Sequence, residues 1–188
     1  MQISEKQNKA TGEIVDLIAN SIGRNREVHS ATAIATSARL SGAFLFRSFG
    51  LNIDGAKPGT AALSQQANEE GPKLINVIGT VLSNLGVTVD NEKIKSAEIQ
   101  KCELDFLQSL NATQTKASEI MKKYGLNEKE MASACAMSTA FIIQQCQNDL
   151  DVESAFNTAV YGLIEGSKTV PPKMTELTTY QKKWYKFW

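Results

Sequence analysis

Two arginines, Arg39 and Arg47, stand in a stretch otherwise suited to burial, Val28 to Phe49. A guanidinium held in an apolar wall needs an anion, because an unpaired buried charge is very costly. On a helix, eight residues turn about 80 degrees beyond two full turns, so the two side chains reach roughly the same side. The anion is expected to be Glu13 or Asp16 near the N-terminus, Glu165, or the carboxylate or phosphate of a ligand. His29, at the start of the same stretch, completes a candidate ligand-binding set with Arg39 and Arg47. Its plainer role is that of a residue at a helix start.

Other reactive constellations are not present in the sequence. One His and no Cys pair at two-to-four spacing do not supply an ordinary zinc site. No Glu-x-x-His supports a di-iron bundle. There is no Gly-x-Ser-x-Gly and no Gly-x-x-x-x-Gly-Lys-Ser/Thr. Gly55-Ala56-Lys57-Pro58-Gly59-Thr60 has the ingredients of a phosphate-cradling loop without their order, and reads better as a turn. Cys102, Cys135 and Cys146 read as reduced thiols packed as small hydrophobes. The sequence therefore supports no catalytic residue, metal or cofactor.

The C-terminus carries a different chemistry. Lys173, Lys182, Lys183 and Lys186 face Glu176 alone, among Tyr180, Trp184, Tyr185, Phe187 and Trp188. As a helix, Leu177, Tyr180, Trp184 and Trp188 share a face. Tyr180, Lys182, Lys183, Trp184, Tyr185 and Trp188 are accordingly candidate partner or surface contacts. The expectation is that this tail docks on its own subunit or a neighbouring one. A groove in another protein and an anionic membrane surface are the alternatives, and nucleic acid is not expected.

Periodicity places these residues on helices almost throughout. Ile3, Ala10, Ile14, Leu17, Ile18 and Ile22 share a face of a first helix from Ser4, ending at Gly23 in a left-handed cap. Asn25 then caps a helix over 26–49, with Gly50 as its stop. Its Ala31, Ala35, Ala38 and Gly42 form a small-residue stripe that lets another backbone approach closely. Thr60 caps a short helix that Gly71-Pro72 breaks, and a further helix runs on to Leu85. Asp90 caps a helix through Leu107, and Asn111 begins another ending at Gly125. Asn127 and Glu130 form a capping box for a helix over 128–148, and Asp151 caps the last helix. Segments 27–36 and 130–139 share Glu, Ser, Ala, Ala and Thr at matching positions, consistent with a duplicated hairpin or with coincidence. Short joints imply that sequential helices pack antiparallel.

The fold expectation is all-α. About seven to eight helices form one bundle over 1–170, with central apolar helices near 26–49 and 128–148, and 171–188 forms a basic aromatic tail. The 188 residues suffice for one core without metal or disulfide, and 21% charged residues with zero net charge exclude a broadly basic nucleic-acid coat. The N-terminal residues lack a signal-peptide core, which with the cysteine usage points to the cytoplasm. The functional expectation is a helical protein acting through protein contacts or oligomerisation, as a homodimer. A small-anion binder or enzyme using Arg39 and Arg47, and a peripheral membrane protein using the tail, are the alternatives.

Overall fold

A computed structural model describes residues 3–23 and 28–174. Among these the fold is all-helical, with seven helices and no strand. The tail contacts expected at Tyr180, Lys182, Lys183, Trp184, Tyr185 and Trp188 lie outside the described residues.

Helix α1 (Glu5–Ile22) starts at a capping box in which Ser4 and Gln7 satisfy each other's backbone amides. It buries Ala10, Ile14, Leu17 and Ile18 on one face. Its C-cap differs from expectation: Gly23 has φ −92° and ψ 159°, an extended exit open to any residue. Helix α2 (Ser30–Ser48) is capped by His29, whose ring accepts from the Thr32 amide. The helix thus begins after the position at which Asn25 was expected to cap it. Every residue from Ala31 to Phe46 is buried.

Helix α3 (Gln65–Asn84) corrects the reading of a break at Gly71-Pro72. It runs unbroken from an Ser64 cap, with Pro72 inside it. Proline removes one hydrogen bond to the carbonyl four residues back. Here that residue, Asn68, and Pro72 itself are both exposed, so water can serve the freed carbonyl. Thr60 caps nothing. Segment 59–62 instead pairs in extended form with 168–170, through Gly59 N to Val170 O, Ala62 N to Lys168 O and Val170 N to Thr60 O.

The region after Asp90 is also corrected. Helix α4 (Asn91–Ile94) is a single turn, and the chain to Leu104 is irregular. Helix α5 (Phe106–Tyr124) begins at an Asp105–Gln108 capping box, so Asn111 lies inside it. Gly125, at φ 61°, closes it in the left-handed region that suits glycine. Helix α6 (Glu128–Gln145) carries the expected Asn127–Glu130 box, and its residues Met131 to Ala140 are all buried. Helix α7 (Val152–Ser167) is capped by Asp151 as expected.

α2 and α6 form the centre. They cross antiparallel through small residues and hydroxyls: Ser41 Oγ donates to Ala132 O at 2.7 Å and Ser37 Oγ to Cys135 O, while Thr139 Oγ1 donates to Ser37 Oγ. The hydroxyls satisfy their own polarity on backbone carbonyls, so small side chains replace large ones without leaving buried donors unpaired. α1 and α3 cover α6, α5 covers α1 and α2, and α7 packs along α2. Sequential helices are not the main neighbours, contrary to the inference from short joints. The two central helices need cover on all sides, and the amphipathic helices spread around them to supply it.

The contact of α2 with α7 is a backbone-to-backbone crossing. A Cβ on Gly42 would land on the Leu163 carbonyl oxygen and lie 2.7 Å from Ser167 N. One on Gly166 would strike the Arg39 carbonyl oxygen, and one on Gly162 would lie 2.9 Å from Ala35 O. The α2 stripe therefore receives a Gly-x-x-x-Gly on α7. The 27–36 and 130–139 likeness falls at different heights, since Ser30 opens α2 while Ser133 lies in the second turn of α6.

Candidate functional site

The eight-residue spacing brings Arg39 and Arg47 to the same neighbour, α5. Arg39 is buried, and three segments converge on it. Its Nε donates to Glu165 Oε2 at 2.6 Å, and its Nη1 donates to Leu104 O at 2.7 Å and Ser109 Oγ at 3.0 Å. This pair ties α2 to α7, to α5 and to the irregular segment before α5. Of the carboxylates weighed from the sequence, Glu165 is the one that holds Arg39.

Arg47 is held differently. Its Nη2 donates to Gln114 Oε1 at 2.8 Å and to Pro172 O at 2.7 Å, and Nη1 makes a long bond to Ala43 O. All three acceptors are neutral, and among the described residues no carboxylate lies within ion-pair distance. Burial pulls its guanidinium down to about 10, and the Glu128 charge opposes that shift.

The two arginines border separate cavities. Arg39 lines one of about 330 Å³ together with Cys102, Glu103, Asp105 and Tyr161. Arg47 lines another of about 260 Å³ with Phe46, Leu51, Ile53, Glu128 and Met174. His29 lines neither; it is exposed and serves as the α2 cap. The sequence-derived set is thus split into three places.

The described chain runs on past Pro171 and Pro172. Both are buried, and Gln114 Nε2 donates to Lys173 O, so the segment to Lys173 stays fixed beside α5.

The thiols are not set up as nucleophiles. Burial raises the pKa of Cys102, Cys135 and Cys146 alike, and all three are free. Among the described residues there is no group of three or more His, Cys, Asp or Glu placed to hold a metal. No described helix is long and apolar enough to cross a membrane.

Sequence reasoning missed a surface. Tyr161 and Ile164, one turn apart on α7, are 48% and 43% exposed, and Ile99, which shares the Arg39 cavity with Tyr161, is 53% exposed. Leu63, 83% exposed, follows the segment that pairs with the chain leaving α7. The available signal was the Gly162/Gly166 pair. It fixes the inner side of α7 and so turns residues 161 and 164 outward.

Comparison of the chain with protein-family models, curated proteins and solved structures finds no match.

Proposed function

We propose that this chain is a cytoplasmic helical protein that acts through protein contacts, as a homo-oligomer, using the outer face of α7 and the adjoining 95–104 segment. The observation that carries this reading is the exposed pair Tyr161 and Ile164 on a helix whose other side is locked onto α2, with exposed Ile99 of the irregular segment lining the same cavity as Tyr161. Interfaces gain most from aromatic and aliphatic anchors on rigid elements with polar surroundings. Glu98 and Lys101, both exposed, supply such surroundings. The three free cysteines suit a reducing compartment. The aromatic tail is a second contact element in this reading.

Size-exclusion chromatography with light scattering tests it on the full chain, on a Tyr161→Lys/Ile164→Lys variant, and on a chain ending at Met174. The expected result is a dimer that becomes a monomer in the double variant with its helical circular-dichroism spectrum unchanged, since both side chains are exposed. A dimer that survives the double variant, or a full chain that is monomeric at every concentration, would overturn the α7 interface. A dimer lost only on truncation would move the contact to the tail.

A further inference from the structure

We propose that the cleft beside Arg47 binds a small monocarboxylate with an apolar body. Independently of the α7 surface, three features define the site. The first is the guanidinium. An arginine carries five N–H donors in a rigid fork. Arg47 gives three of them to Gln114, Pro172 and Ala43, which leaves Nε and one Nη1 hydrogen uncommitted among the described residues. The guanidinium is already positioned by Gln114 on α5 and by the Pro172 carbonyl, so a ligand need not order it, and the free Nε–H and Nη1–H, on opposite edges, each offer a single bond.

The second feature is charge. A largely desolvated cation with only neutral acceptors is poorly compensated, and a carboxylate supplies the missing charge through a single charge-assisted bond. Lys173 borders the same cleft and adds positive charge at its edge, while Glu128 adds a negative one. That mixture suits a single negative charge and works against a phosphate dianion.

The third feature is the wall. Phe46, Leu51, Ile53 and Met174 line a space of about 260 Å³, small by the standard of ligand sites and mainly apolar away from the charges. Ile53 lies in a loop at the edge of the cleft and is 37% exposed.

The competing carboxylate is the chain's own. Glu176 follows Met174 by two residues in the sequence. The experiment therefore uses the full chain and a Glu176→Gln variant, with benzoate as the probe, benzamide as its neutral counterpart and inorganic phosphate as the dianion. Calorimetric titration and the shift in Tm are read together. Benzoate is expected to bind both chains equally and to raise Tm, and benzamide and phosphate are expected to bind at least roughly tenfold more weakly. Arg47→Met is expected to weaken benzoate by a similar factor. If that variant does not fold, Ile53→Trp, which fills the mouth from an exposed loop, is expected to block binding with the fold intact. The proposal is overturned if benzoate leaves the full chain unchanged, if benzamide binds as well, or if Ile53→Trp and Arg47→Met both leave the affinity unaltered. It is overturned also if benzoate binds only when Glu176 is removed, because the cleft then belongs to the chain's own carboxylate.

Discussion

Arg39 serves three acceptors on three segments, so removing it leaves Glu165, Leu104 O and Ser109 without their shared donor. Breaking a buried pair by deleting one partner strands the other charge. Arg39→Met is expected to cost about 3 kcal/mol in urea unfolding, moderated by the partial exposure of Glu165. Arg39→Met/Glu165→Leu is expected to recover part of that loss, with a coupling of about 1–3 kcal/mol between the sites. Additive losses in the double variant would show that the pair is not a unit. Glu13 provides a pH-dependent case. Hydrogen bonds from Lys123, and next from Tyr124, hold its carboxyl below the ordinary value of 4.5. The folded chain binds this proton more weakly than the unfolded chain. The contribution is therefore complete above 4.5 and fades as pH falls through the lower folded value. The stability gap between the protein and its Glu13→Gln variant is expected to narrow as pH falls below 4.5. A gap that stays constant from neutral to acidic pH would refute the assignment.

At the scale of the element, glycines separate tight crossings from open surface. Gly166→Ala must push α7 off the Arg39 carbonyl, and overpacking against backbone cannot be relieved by a rotamer change. The expected loss is about 3 kcal/mol. Gly79→Ala, inside α3 with no atom near the added methyl, is expected to gain about 0.5–1 kcal/mol. Equal effects in thermal unfolding would contradict the close crossing of α2 with α7. The crossing was half legible in the sequence. The Ala35–Ala38–Gly42 stripe announced a near backbone, whereas Gly166 reads from the sequence as the end of the last helix and nothing marks Gly162 as its partner. Caps at Asn127 and Asp151 were legible because a single side chain meets an amide within one turn. The start of α5 was not. Asp105 and Asn111 are both good capping residues, and the apolar Ile99, Leu104 and Phe106 mimic a continuous helix where the chain is irregular. Pro72 misled for a related reason: its cost depends on whether the freed carbonyl faces water, which only the packed structure decides. The site followed the same division. The shared side of Arg39 and Arg47 follows from helical pitch, but their separation into two cavities depends on Glu165 and on the Pro171–Pro172 segment, both remote in sequence.

For the whole molecule, the organising fact is that α2 and α6 are enclosed by the other elements, with their polar side chains satisfied internally. Chemistry is thereby pushed outward, to the α7 face and to the Arg47 cleft. Enclosed helices should open only when the entire domain opens, whereas the single-turn α4 and the irregular chain after it should open locally. Native-state hydrogen exchange followed residue by residue measures this directly. Amides of 34–46 and 131–143 are expected to exchange with the full free energy of global unfolding, and those of 91–104 at a far smaller cost. Exchange from either central helix at a lower free energy than from α1 or α3 would contradict this.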